Sequence, residues 1–148
     1  MINRLAKSLA LVLGALALAA CSSPPAPDPG GVSAGLEGPV VGPRWNLLLV
    51  GTDERLSMPE TPYFVVTPDG RVSGSDGCNQ LNGRVRLDEG NRIEFHELAT
   101  TRRACPRAED AQRVTGMMEK AYRYLIDHDR LVFFGPDQRV LGGFRRAD

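Results

Sequence analysis

Between residues 44 and 148, short runs of apolar side chains alternate with polar ones, and turn-forming residues separate the runs. The segment Arg84–Leu87 is typical, because Val85 and Leu87 fall on one face of an extended chain and the two arginines on the other. Pro68-Asp69-Gly70 is a strong turn between two such runs. The pattern predicts eight short strands, at residues 45–50, 63–67, 71–75, 84–87, 92–96, 122–126, 130–134 and 139–144.

One segment follows a helical period instead. Ala111, Val114, Met118 and Ala121 recur at steps of three and four residues, which places them on one face of a helix that we expect to begin near Pro106. Eight strands with one late helix predict a single small α+β domain. Its architecture should be a curved or barrel-like antiparallel β-sheet packed on one helix.

The first twenty residues have the organisation of an export signal. Arg4 and Lys7 precede the uncharged, apolar run Leu9–Ala20, and Cys21 follows it directly. Leu18-Ala19-Ala20-Cys21 resembles the bacterial lipobox, which implies cleavage before Cys21 and attachment of several acyl chains, palmitate among them, to that cysteine. The run is too short to span a bilayer, which needs about 20 apolar residues. A cut after Ala20 without lipidation is the chemical alternative.

The segment 21–43 is rich in proline and glycine and is predicted to be an extended tether. We therefore divide the chain into a signal peptide at 1–20, this tether and a folded domain at 44–148. Ser22, next to the lipidated cysteine, suggests sorting to the outer membrane in a host with two membranes. The expected location is a lipid-anchored position on that membrane, facing the periplasm.

Charge and cysteine content narrow the classes of function. Loss of residues 1–20 leaves 16 basic and 18 acidic side chains, a formal charge of −2, which argues against nucleic acid as a partner. Two cysteines remain besides Cys21. In an oxidising compartment, Cys78 and Cys105 favour a disulfide, and two buried free thiols are the alternative.

Three blocks of the sequence resemble those of the META/HslJ family, small domains found in many bacterial envelope lipoproteins. The blocks are Trp45–Leu48, Val72–Asn79 and Leu98–Cys105. The resemblance extends over residues 44–148 and implies an antiparallel sheet that wraps a helix, similar to the pilot lipoproteins of secretion systems. It also implies a link to heat-shock response and to novobiocin resistance, without an established biochemical activity. Arg103 and Gln80 depart from the family pattern, where methionine and arginine are frequent.

The predicted loop at residues 76–83 holds weak candidates for a binding site. Asp76 and Asn79 can bond to nearby backbone groups, so that a structural role is favoured over ligand binding. Arg102 and Arg103 have the fork geometry that recognises carboxylate or phosphate, although pairing with acidic neighbours is the simpler interpretation.

Other chemistry has less support in the sequence. Cys78 as a nucleophile would need a histidine base, and only His96 and His128 exist. His96 is expected on the polar face of a strand, and His128 in a turn between two aspartates. Asp127-His128-Asp129 lacks a second set of ligands for a metal. No catalytic residue, metal site or cofactor is therefore predicted.

The sequence thus indicates a lipid-anchored, non-enzymatic domain of the cell envelope. Its expected function is to bind or support an envelope partner, or to bind an apolar ligand in a sheet–helix cleft. This function is expected to be linked to stress or antibiotic tolerance. An envelope hydrolase or thiol-dependent enzyme that uses Cys78 or His96 is the alternative. A chaperone-like module is a third hypothesis.

Overall fold

The fold comes from a computed structural model that describes residues 36–148. The predicted signal peptide, the predicted lipidation site Cys21 and most of the predicted tether lie outside the described residues, and these predictions stay untested. The described chain contains eight strands and one helix, bounded as follows: β1 Arg44–Val50, β2 Tyr63–Val66, β3 Arg71–Ser75, β4 Gln80–Asp88, β5 Arg92–Thr100, α1 Ala108–Glu119, β6 Arg123–Asp127, β7 Arg130–Phe134 and β8 Val140–Arg146.

The strands form a closed antiparallel barrel in which each strand pairs with its neighbours in the sequence, and β8 pairs with β1. The predicted fold class is therefore confirmed: a single α+β domain with a strongly curved antiparallel sheet and one helix. Closure is weakest between β5 and β6, which pair only at Arg92 and Arg123. No helix within residues 36–148 is both long and apolar enough to cross a membrane.

Aromatic side chains fill the interior of the barrel. Phe64, Phe133 and Phe144 are almost completely buried, and Phe64 contacts Phe144 and Phe95 in edge-to-face geometry at ring-centroid distances of 4.9 and 5.7 Å. Such pairs add to the free energy gained from burial alone. The barrel centre is thus a packed core, and the surface must supply any binding site for a sizeable ligand.

The helix α1 joins this core through the face that the sequence predicted. Ala111, Val114 and Met118 are buried, as is Ala121 just beyond the helix end. Met117 is also buried, and it belongs with Met118 to the same cluster as the barrel phenylalanines. Burial of this apolar face holds the helix on the barrel.

Two strands extend four residues beyond a predicted end, and both extensions lie beside the predicted loop. Residues 80–83 are not loop but the start of β4, because Gln80, Leu81, Asn82 and Gly83 all pair with β3. β5 continues past His96 to Thr100 through an irregularity, where Glu97 has a φ of 54° and the pairing register shifts. The loop between β3 and β4 is thus confined to residues 76–79.

The packed domain begins before the predicted boundary at residue 44. Val40 is fully buried, and its carbonyl accepts a hydrogen bond of 3.1 Å from the Trp45 indole nitrogen. Val41 forms a parallel bridge with Val66. Residues 36–43, which composition placed in the tether, include these apolar side chains, and they lie against the barrel.

Candidate functional site

A polar cleft of about 280 Å³ lies on the outer face of the barrel, beside the loop at residues 76–79. Strand register builds its floor, because Tyr63 pairs with Ser75 and Ser75 with Gln80, while Ser73 pairs with Asn82. Residues opposite each other in antiparallel strands project to the same face. The cleft is lined by Glu60, Tyr63, Ser73, Gly74, Ser75, Cys78, Asn79, Gln80, Leu81, Asn82 and Arg103.

Asp76 is the buried support of the loop and is not among the lining residues of the polar cleft. Its side chain is only 2% exposed, and one carboxylate oxygen accepts hydrogen bonds from the backbone N–H groups of Cys78 (2.9 Å) and Asn79 (2.6 Å). The Asp76 N–H in turn donates to the Asn79 carbonyl at 3.0 Å. These bonds fix a tight turn, which is the structural role that the sequence favoured for this residue.

Asn79 connects the loop to the segment that follows β5. Its side-chain oxygen accepts a hydrogen bond of 2.8 Å from the Arg103 backbone N–H. One residue later, Gln80 and Thr101 exchange two hydrogen bonds of 3.0 and 3.1 Å. Asn79 and Arg103 both line the polar cleft, whereas the exposed Arg102 does not.

Cys78 and Cys105 form a second contact between the loop at residues 76–79 and the segment that follows β5. Their sulfur atoms lie at disulfide distance and their Cα atoms are 6.0 Å apart, inside the range that a disulfide requires. The geometry therefore permits the predicted bond. Whether it forms in the cell stays a prediction that thiol titration can test.

Glu60 is the charged lining residue that the sequence analysis missed. Its backbone N–H donates to the Gly77 carbonyl at 3.3 Å, and its carboxylate accepts a hydrogen bond of 3.0 Å from the Ser75 hydroxyl. The Gly77 N–H donates to the same Ser75 oxygen at 3.1 Å. Glu60 lies in an irregular segment without periodicity, so only the tertiary fold brings it to the cleft.

The two walls of the polar cleft carry opposite charges. Glu60 is the acidic residue of the lining and Arg103 the basic residue, and among residues 36–148 neither side chain forms an ion pair. Just beyond the lining, the Arg44 guanidinium lies over the Tyr63 ring, 3.5 Å from its centroid. Ligand groups of either sign could therefore find a partner in the cleft.

The residues of the enzyme hypothesis do not form a catalytic group in this structure. Cys78 faces Cys105, and a disulfide there would remove the thiolate that a nucleophile needs. His96 is exposed on β5 opposite Arg84 and is not among the residues that line the cleft. His128 lies in the β6–β7 turn with its Nδ1 at 2.6 Å from an Asp127 carboxylate oxygen.

A second depression, the helix groove, lies between α1 and the barrel and has a volume of about 390 Å³. Val50, Met117 and Leu141 form its apolar part. At its rim Arg113 donates to both carboxylate oxygens of Glu54, at 2.8 and 2.5 Å. This pairing lowers the pKa of Glu54 and raises the pKa of Arg113, chiefly through the hydrogen bonds. The groove is the sheet–helix cleft in which the sequence analysis placed an apolar ligand.

Comparison with known proteins gives a family and a set of similar folds. The family model of the META domain matches residues 38–148. An NMR structure of a protein from Burkholderia xenovorans is 19% identical with a TM-score of 0.59, over 84% of this chain and 99% of its own. A crystal structure of a DUF4847 family protein from Bacteroides vulgatus is 13% identical with a TM-score of 0.54, over 74% of this chain and 96% of its own.

Another NMR structure is 21% identical with a TM-score of 0.56, over 72% of this chain and 90% of its own. At these identities the similarity shows a shared fold and does not extend to function. Comparison with the curated proteins gives no match.

Proposed function

Because this chain belongs to the META domain family, as the match over residues 38–148 shows, we propose that it is a lipid-anchored, non-catalytic binding domain of the bacterial envelope. The family resemblance drawn from the sequence blocks is confirmed by that match. Family membership and the structural neighbours fit a small domain without a catalytic role. The envelope location rests on the lipobox-like Leu18-Ala19-Ala20-Cys21.

The polar cleft is the observation that carries the proposal. Its lining comes from three chain segments, at residues 60–63, 73–82 and 103, and the contacts Cys78–Cys105 and Asn79–Arg103 hold the second and third together. A rigid site loses little conformational entropy when it binds, so a small cleft of this kind can select a polar partner. Its hydroxyl–carboxylate contact, Ser75 to Glu60, has no histidine beside it in the lining, and the Ser75 oxygen is also bonded to the Gly77 N–H, which favours binding over turnover.

A photo-crosslinking amino acid at Asn82 tests this role in the full chain in its membrane. Asn82 is exposed and lines the polar cleft, whereas Leu125, 49% exposed on β6, serves as a matched surface control. We expect a crosslinked product of defined mass from position 82 and not from position 125. Arg103→Gln should abolish that product. The same products from both positions, or products indifferent to Arg103, would contradict a binding role for the cleft.

The lipid anchor needs a separate measurement. The intact mass of membrane-extracted protein should show the loss of residues 1–20 and the gain of acyl chains on Cys21. Cys21→Ala should release the domain from the membrane, because only the acyl chains are proposed to hold it there. Turnover of a substrate that is lost in Cys78→Ala or His96→Ala would favour the enzyme alternative instead.

A further inference from the structure

Glu60 and Arg103 lie on opposite walls of the polar cleft, and neither is held there by an ion pair within the described part of the chain. Glu60 is held through its backbone N–H on Gly77 and through a single hydroxyl, that of Ser75. Arg103 is held through its backbone N–H on Asn79 and through the neighbouring Cys105. The scaffold therefore positions the Glu60 carboxylate and the Arg103 backbone, and it leaves both charged groups able to bind a ligand.

The floor between these charges is made of groups that match a peptide bond. The amides of Gln80 and Asn82 each offer donors and an acceptor, and the Ser73 hydroxyl can serve as either. A peptide unit likewise presents one N–H donor and one C=O acceptor. A cleft of about 280 Å³ lies just below the usual range of volumes for ligand sites, which suits a small ligand of two or three residues.

The one aromatic side chain in the lining argues against a sugar. Saccharides are commonly bound by stacking on an open aromatic face, but the Tyr63 ring already carries the Arg44 guanidinium at 3.5 Å from its centroid. Most of the remaining lining is polar, so it offers no platform for an apolar ring. Hydrogen bonding and charge pairing are then the means of recognition that the cleft provides.

We propose that the polar cleft binds a short free peptide with both termini charged, its carboxylate on Arg103 and its ammonium on Glu60. Gln80 and Asn82 bond to the peptide unit between the termini. This inference rests on the proposed function of the cleft as a binding site, and it specifies the chemistry of the ligand. Recognition of both termini at once excludes the interior of a long chain.

NMR titration of the isotope-labelled full chain in detergent micelles tests the proposal with three dipeptides. Alanylalanine carries both charges, N-acetyl-alanylalanine keeps only the carboxylate, and alanylalanine amide keeps only the ammonium. We expect alanylalanine to bind most tightly and to shift the backbone amides around Asn79, Asn82 and Arg103. Removal of either charge from the dipeptide should weaken binding about tenfold, the usual effect of losing a charge-assisted hydrogen bond.

Two variants test which residue binds each charged terminus of the peptide. Arg103→Gln should weaken the binding of alanylalanine and of the acetylated dipeptide about tenfold and leave binding of the dipeptide amide unchanged. Glu60→Gln should weaken the binding of alanylalanine and of the dipeptide amide about tenfold and leave binding of the acetylated dipeptide unchanged. Arg102→Gln is the matched control, because this neighbouring arginine is exposed but does not line the cleft. Thermal unfolding of each variant checks that the fold is intact.

Three results would overturn the inference: no shift with any dipeptide, equal binding of all three, or equal effects of the two arginine variants. The crosslinking experiment separates this failure from failure of the proposed function. An Arg103-dependent crosslink at Asn82 without dipeptide binding would keep the cleft as a binding site and reject the peptide chemistry. Absence of both the Arg103-dependent crosslink and dipeptide binding would show that the cleft is not a binding site.

Discussion

The polar cleft and the helix groove are held in shape by different forces. Around the cleft, Cys78 meets Cys105, Asn79 bonds to Arg103 and a buried Asp76 fixes the turn. Around the groove, by contrast, the helix is held by buried Met117 and Met118 and by one exposed ion pair. One site is built by directional bonds between loop segments and the other by burial of apolar side chains.

The comparison predicts which perturbations should change the structure or stability of each site. Directional bonds and a covalent link hold a few atoms in place without much buried apolar area, so the cleft should respond to reduction and to loss of single acceptors. Burial is shared with the whole barrel core, so loss of packing near the helix should destabilise the entire domain. The cleft is thus the site whose shape can change while the fold stays intact.

The largest effect is expected from Met118→Ala on the helix side. Met118 is 1% exposed, and truncation of a fully buried methionine leaves a cavity, so the free energy of unfolding should fall by about 4 kcal/mol. Urea denaturation measures the change. Gly116→Ala is the control in the same helix, because an added methyl group meets no atom within 4 Å. It should raise stability by about 1 kcal/mol, and an unchanged midpoint for Met118→Ala would refute the role of burial.

Replacement of both loop cysteines by serine should have the next largest effect. The bond would close a loop with a sequence separation of 27 residues, and its loss should cost about 3.5 kcal/mol by loop-closure entropy. Hydrogen exchange should show that amide protection is lost first at Asn79 and Arg103 and later in α1. Uniform loss of protection over the whole domain would contradict the separation between the two sites.

The two regions also differ in how well the sequence predicted them. Alternation and helical period identified the strands and the buried helix face, because burial acts on side chains in a regular order. The cleft depends on strand register, which places Ser73 opposite Asn82, and on Glu60 in a segment without a pattern. Asn79 and Arg103 were predicted as binding candidates from their side-chain chemistry. They are 24 residues apart in the sequence, so only the tertiary fold determines their contact.

A smaller effect is expected from Asp76→Ala in the cleft loop. The substitution leaves the half-buried N–H groups of Cys78 and Asn79 without their acceptor, which should cost about 2 kcal/mol. Asp76→Asn is the matched variant, because its amide oxygen can still accept both bonds and should retain most of the stability. Chemical denaturation compares the two. Equal losses would show that the negative charge, rather than the oxygen acceptor, supports the turn.

The smallest effect concerns the ion pair at the rim of the helix groove. The hydrogen bonds from Arg113 lower the pKa of Glu54 below its ordinary value of 4.5, so the unfolded chain takes up the proton first as the pH falls. The contribution of Glu54 to stability is therefore complete above pH 4.5 and is lost as the pH falls through the lowered pKa. The pair is exposed, so the loss should be small.

Thermal unfolding of the wild type and of Glu54→Gln, measured from neutral to acid pH, isolates this contribution. Other carboxylates titrate in both proteins, so only the difference between the two curves reports on Glu54. That difference should be constant near neutral pH and shrink toward zero in acid, because the protonated glutamate resembles glutamine. Amide shifts should change in α1 and not at Asn79 or Arg103, which keeps the helix groove and the polar cleft separate. Parallel curves over the whole pH range would mean that the ion pair contributes nothing, and that burial alone holds the helix.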